Sequence, residues 1–394
     1  MTPSRLDRAA RSGSRPVRAA RGIAPGVLFL LLLSLVLSTC TTLRDFAPGE
    51  QAPPAVAAER WPQAEEAFRR DRFWLGGDGA SSVPLGGDRV LWLFGDSLIG
   101  DGKSRDRRQA LVVRNTVAVQ KGLDPSSAAV AFSWKTRAGK PEAFFPSKGE
   151  TWYWPGSGVL VRGRLLVFLM EISPAPGELG FDASGWAAVL VENPGDEPGS
   201  WRMTSLDVPG NRFRVVVGSA CCFVEGGHLY AFGADASSLG AFLVRWTLEA
   251  AASGDLGRPE WWAGKGGWVA QEKLARAPEP LFRDAQMEFT VHREPALGRY
   301  VAVQTGSFTD HCLVLRSSRS LTGPWSARHG FYCPEDPGGI LVYAGKAHPG
   351  LAGADLVCTL ATNSLDADRV LGDDRLYFPV FVRGTYRLAE NRPH

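Results

Sequence analysis

The sequence predicts an all-β fold, a five-bladed β-propeller with about four antiparallel strands per blade. Three observations predict it. From Trp61 onward there is almost no long amphipathic period, and short β-branched and aromatic runs alternate with Gly, Pro, Asn and Asp. A phrase of small-residue strand, tight turn and strongly apolar strand recurs five times, the kind of self-similarity that marks repeat architectures. Several copies are followed by further strands with a late tryptophan, as in PGSWRM and LTGPWSA.

In chain order, residues 1–22 come first, with Arg5, Arg8, Arg11, Arg15, Arg18 and Arg21 against the single acid Asp7. An apolar run from Val27 to Leu37 follows, then Ser38, Thr39 and Cys40. A basic arm, a short apolar core and small residues make the pattern of a secretory signal. The run is shorter than the roughly 20 apolar residues a membrane-spanning helix needs. Leu37-Ser38-Thr39-Cys40 resembles a bacterial lipobox, although Thr39 stands where Gly or Ala is usual. The expectation is a lipoprotein signal over residues 1–39, lipidation at Cys40, and export to a bacterial cell envelope with a lipid anchor in the membrane. Residues 40–60, rich in Pro and Ala, read as a flexible tether. Residues 61–394 then form a single propeller domain, entered through a short helix at WPQAEEAFRR.

The five phrases run from Gly77 to Ser97, Tyr153 to Ser173, Val217 to Ala236, Met287 to Ser307 and Lys346 to Ser364. In a propeller the first strands of all blades start at one mouth of the central channel, and the second strands end there. The second-strand ends carry Asp96, Glu171, Asp235, Thr305 and Asn363. The first-strand starts carry Asp78, the segment from Trp154 to Ser157, Ser219, Glu288 and Lys346-Ala347-His348. Acidic and polar residues scattered along the chain thus converge on one rim.

Composition narrows the function. The formal net charge of +3 is set by the N-terminal arm, and the remainder is slightly acidic. Nucleic-acid binding, which needs a basic face, has no support. Export permits disulfides, and Cys312 with Cys333 would close a hairpin-sized loop. Cys221 and Cys222 lie in an apolar strand and read as core. No CxxC pair, nucleophile elbow, P-loop or HExxH motif occurs. No cofactor is expected; a Ca²⁺ in the channel is compatible with carboxylate ligands, but no loop specifies it. A monomer is expected.

Carboxyl groups at a channel mouth suit glycoside hydrolysis, which needs one protonated and one ionised acid facing across the bond. Crowded carboxylates drive their pKa values apart. Each acid also has a plainer reading, Asp78 as a turn residue in Gly77-Asp78-Gly79 and Asp96 as a strand-end cap. Glu288, between Met287 and Phe289, is costly unless it faces a cavity. Trp152, Tyr153 and Trp154 would offer faces for a sugar.

The stretch from GGDGASSVPL to LWLFGDS, the following VVRNTVAV, then MEFTVHREPALGRYV, LTGPW and AHPGL with TLATNS resemble domain-of-unknown-function family 4185. That family is placed among the five-bladed propeller glycosidases of the arabinanase, fructosidase and levansucrase type, and some members degrade D-arabinan. The resemblance covers essentially the whole mature chain. It implies a hydrolase of an arabinan-like polysaccharide, with Asp78 as base or nucleophile, Glu288 as acid, and Asp96 or Glu171 orienting or tuning them. Arg114 and Asn115 match the family's RNT element, as substrate contacts or with Arg114 in a structural salt bridge to Asp96. Trp154, His348 and Asn363 are candidate substrate contacts from their place on the rim, His348 reading equally as a loop histidine. One departure stands out: the second and third blades begin WPGSG and VGSACC, without the early acid of the better-known relatives. The alternative is a surface lipoprotein that binds a glycan or a protein without turnover.

Overall fold

The apolar runs become antiparallel sheets in the computed structural model, which describes residues 53–387 apart from 178–179, 236, 308–309 and 336–337. Five have four or five strands, with a three-stranded one of Trp74–Gly77, Ser97–Ile99 and Leu111–Val113 and a small two-stranded one beside them. The signal, the lipobox and Cys40 lie outside the described residues. The first sheet joins Ser81–Gly86, Arg89–Phe94, Thr116–Lys121 and Ala129–Ser133. The second joins Trp152–Val161, Arg164–Pro174, Phe181–Val191 and Met203–Leu206. The third begins with Val216–Glu225, His228–Asp235 and Gly240–Thr247, and adds two short strands. The fourth joins Thr290–Glu294, Arg299–Thr305, Leu313–Ser318 and His329–Tyr332. The fifth takes Leu341–Ala347, Leu356–Asn363 and Val380–Arg387 from the end of the chain and Ala55–Arg60 from its start.

That last pairing corrects the tether. Residues 55–60 form an antiparallel ladder, from Ala55 opposite Arg387 to Arg60 opposite Val382. Small Ala and Val side chains fit an edge strand as well as a linker, so composition alone does not separate the two.

The strands read as unbroken apolar runs because both faces of each sheet are covered. On Arg89–Phe94, Leu91 and Leu93 pack with Leu165, Val167 and Leu169 of the second sheet. The alternate residues Val90, Trp92 and Phe94 pack with Val357 and Phe381 of the fifth. Period-two geometry thus sends one strand's residues to two different neighbours. Further cores join the second, third and fourth sheets and then the fourth and fifth. The apolar seams therefore run from sheet to sheet and return from the fifth to the first.

The expected helix forms over Pro62–Arg69, with proline in its first turn, where a missing N–H costs nothing. Its Phe68 is fully buried between Trp92 and Phe381, with ring centroids 5.0 and 5.2 Å away. Burial of such a ring contributes about 1.5–3 kcal/mol. Cys312 and Cys333 form the disulfide, linking residues 21 apart. Cys221 fills core as expected, and Cys222 is half-buried beside it. Among the described residues no helix is long and apolar enough to cross a membrane.

Candidate active site

Asp78 sits in the loop between Trp74–Gly77 and Ser81–Gly86, at the open end of the first sheet. It is not a simple turn aspartate. Its backbone carbonyl accepts from the amides of Ala80 and Gly95, while its carboxyl points away and accepts from the Tyr343 hydroxyl at 2.8 Å. Gly95 is required for that placement, because a Cβ there would lie 2.5 Å from Asp78 Oδ1. The glycine of the GDS stretch therefore makes room for the neighbouring acid.

Asp96 follows Gly95 and is 7% exposed. Its Oδ2 accepts from Arg114 at 3.0 Å and its Oδ1 from the Trp154 indole N–H at 2.9 Å. Arg114 also lies 4.2 Å over the Trp152 ring, and Trp154 packs edge-on against Phe181 at 5.1 Å. Glu288, 8% exposed, accepts from the Lys346 ammonium at 2.6 Å. That ammonium also reaches the Gly79 carbonyl at 2.7 Å, next to Asp78. Asn363 donates to the Tyr343 hydroxyl at 3.3 Å and so stands behind it. The Tyr377 hydroxyl donates to the Asp96 carbonyl at 3.0 Å.

The three carboxyls have different electrostatic surroundings. Burial, with the charges of Asp96 and Glu288 behind it, pushes Asp78 up to about 8. The Tyr343 hydrogen bond and the Lys346 charge act against that rise without reversing it. Burial raises Asp96 to about 6, against the opposing pull of Arg114 and Trp154. Glu288 has a cation at contact distance. Asp78 is thus the acid pushed furthest toward its protonated form, while Asp96 and Glu288 each have a cation at contact distance.

The structure brings together Asp78, Asp96, Glu288, Arg114, Trp154 and Asn363. Glu171, Asn115 and His348 stand outside this cluster. Glu171 lies across its own sheet, where a Cβ on Gly185 would come 2.5 Å from its Oε2, and it is raised by burial. Asn115 is fully buried and ties the Phe145 amide and the Phe145 and Tyr153 carbonyls together. His348 has both ring nitrogens engaged, to the Ser82 hydroxyl at 2.7 Å and the Thr359 hydroxyl at 2.8 Å. Asp235, at the matching position of the third sheet, caps its own turn through Ser237.

Tyr343 and Tyr377 were missed. The fifth phrase begins at Lys346, whereas the strand it belongs to runs from Leu341 to Ala347 and is nearly finished by then. KAHPG is the end of that strand and its turn. The signal that could have found Tyr343 is the apolar run LVY directly upstream. Among the described residues no group of three or more His, Cys, Asp and Glu side chains is placed to hold a metal ion.

A protein from Bacteroides ovatus, described as a hydrolase candidate, superposes with a TM-score of 0.66 at 15% identity, over 89% of this chain and 97% of that one. The two share a fold. An exo-β-1,3-galactanase from Phanerochaete chrysosporium gives a TM-score of 0.46 at 12% identity, over 80% of this chain and 63% of that one. The catalytic domain of a GH62 α-L-arabinofuranosidase from Coprinopsis cinerea gives 0.44 at 10% identity, over 81% and 93%. No curated protein matches the sequence. Residues 63–385 match the model of a domain of unknown function, DUF5005, where the motifs had pointed to family 4185. The match spans most of the chain, which therefore belongs to the DUF5005 family.

Proposed function

We propose that this protein is a glycoside hydrolase, and that its five meanders are the blades of a β-propeller with the carboxylate cluster at one mouth of the central channel. The closed run of apolar seams, from the fifth sheet back to the first, supports the propeller. The observation that carries the function is a carboxyl without a cation at contact distance, Asp78, held by the Tyr343 hydroxyl, beside two cation-paired ones, Asp96 with Arg114 and Glu288 with Lys346. Burial pushes Asp78 up to about 8. Hydrolysis needs that division of labour. Asp78 gives its proton to the departing glycosidic oxygen, the Glu288 carboxylate acts at the sugar carbon or on the attacking water, and Asp96 helps keep the proton on Asp78. These roles reverse the ones expected from the resemblance, in which Asp78 is the base. The substrate we propose is an arabinan-like polysaccharide, and its support is the motif resemblance alone.

Purified protein is to be screened for release of reducing sugar from arabinans, fructans and related cell-wall polysaccharides. Turnover is expected on at least one of them, and its loss in Asp78→Asn and Glu288→Gln variants. Glycan binding without turnover across the panel would overturn the hydrolase reading. It would favour instead a binding module, a reading supported by Asp96, both of whose oxygens are already engaged within the protein. We also propose export and lipid anchoring through Cys40, supported by the basic arm, apolar run and lipobox-like sequence. Replacing Cys40 by Ala is expected to release the protein from membranes.

A further inference from the structure

Tyr343 and Lys346 stand three residues apart on the strand Leu341–Ala347. In a regular strand an odd separation sends two side chains to opposite faces. Here both reach the carboxylates, Tyr343 at Asp78 and Lys346 at Glu288. The ladder with Leu356–Asn363 slips between Tyr343 and Lys346, and Ala344 takes a φ of 53°. Gly345 then passes so close to the fourth sheet that a Cβ would lie 2.7 Å from the Thr305 nitrogen. A bulge of this kind re-aims side chains beside a site.

Lys346 uses its donors within the protein: Glu288 at 2.6 Å, the Gly79 carbonyl at 2.7 Å and the Ser81 hydroxyl at 3.2 Å. Its side chain is 1% exposed. One ammonium therefore joins the loop that carries Asp78 to the carboxyl of Glu288. The other charged and titratable groups facing this pair are few. Asp78 faces Asp96, Tyr343 and Tyr377; Asp96 faces Arg114; His348, near Lys346, is held neutral by burial and by that ammonium.

We propose that Lys346 is a positioning residue that sets the charge of the acid pair: its ammonium, bridging Glu288 and the loop of Asp78, holds the Glu288 carboxyl as the ionised partner. The Tyr343–Lys346 bulge delivers that charge and the Asp78-binding hydroxyl to one place. The catalytic consequence rests on the hydrolase reading, but the charge assignment does not.

The test is infrared difference spectroscopy of the full chain with isotope-labelled Asp or Glu, which counts protonated carboxyls of each type without any substrate. Wild type is expected to show a protonated Asp and no protonated Glu near neutral pH. Lys346→Met is expected to gain one protonated Glu, since an unpaired buried carboxylate takes up a proton. The gain should vanish in Glu288→Gln/Lys346→Met and in Lys346→Arg, which keeps the charge. A Glu signal in Lys346→Met identical to wild type overturns the proposal. If Lys346→Met does not fold, the double variant decides. Restored folding supports a charge-pairing role, and equal failure of both variants makes Lys346 merely structural and overturns it. On a hydrolysed glycan, the acid limb of kcat/KM should move up by about one pH unit or more in Lys346→Met. An extra Glu proton in a protein without turnover would sink the hydrolase reading and spare this one; turnover with an unchanged Glu signal would do the reverse.

Discussion

Lys346 and Arg107 are both buried cations, and they meet their surroundings in opposite ways. Arg107, 5% exposed, spreads its guanidinium over the carbonyls of Leu75, Val370, Asp373 and Leu376, at 2.9 to 3.0 Å. It clamps the strand Trp74–Gly77 to the helix Ala367–Gly372 and the turn beyond it. Burial draws the guanidinium down to about 10, which still leaves it charged at neutral pH. Carbonyls are neutral dipoles whose state does not change with pH. Lys346 instead holds a carboxylate, a group that can gain or lose a proton, beside a second acid pushed toward the neutral range. A buried cation among carbonyls serves the scaffold, whereas one among carboxyls governs where protons go.

The sharpest way to test that contrast is Asp78→Asn. It should lower turnover by about 10³-fold, the usual worth of a proton donor, with the fold intact by circular dichroism. Retained turnover would remove Asp78 from the chemistry. Arg107→Met should do the converse. Three buried carbonyls and a part-buried one lose their donor, and about 3 kcal/mol of stability should disappear in denaturant melts, with specific activity of the folded fraction unchanged. Activity loss without stability loss would collapse the distinction between the two cations.

A smaller effect is expected at Asp96→Asn, about 10-fold in kcat/KM. Removing the Asp96 charge lowers Asp78, so the alkaline limb of the pH–rate profile, where Asp78 loses its proton, should move to lower pH. An upward move would contradict the assignment of Asp78 as the acid. Stability should carry the same signature. In the folded state Asp78 is pushed up to about 8, above the ordinary aspartate value of 3.8. Its contribution is therefore complete below about pH 4 and is lost as pH rises toward about 8. Thermal melts across that window should show a decline in wild type that is shallower in Asp78→Asn. The smallest change is expected at Glu171→Gln, within about twofold in activity, because Glu171 lies outside the cluster. A large loss there would return it to the site.

Much of the fold was legible. LVFLM and LWLF could be read as buried strands because sheets covered on both faces show unbroken apolar runs, and the five phrases mark the five meanders. The edge strand Ala55–Arg60 was not legible, since its partner, Val380–Arg387, lies at the other end of the chain. In the site, Asp78, Asp96 and Glu288 were found by matching repeats, which is a local operation. Glu171 occupies the equivalent repeat position and is not part of the cluster, because the closeness of Gly185 lets its side chain lie along its own sheet. Repeat position tells which end of a strand a residue occupies, and not where its side chain turns.

The sequence by itself determined the all-β class, the succession of strand pairs along the chain and the concentration of acids near strand ends, because these depend on local periodicity and turn chemistry. Only the tertiary structure decided which acid is paired with which cation. Asp96 meets Arg114 and the Trp154 indole of the second sheet, Asp78 meets no cation but the Tyr343 hydroxyl of the fifth, and Glu288, just before the fourth sheet, meets Lys346 of the fifth. Charge state follows from burial and from neighbours distant in the chain, and a bulge at Ala344 and Gly345 set two of those neighbours. No local pattern encodes that arrangement. It arises when the sheets pack side by side and leave their polar ends facing one another.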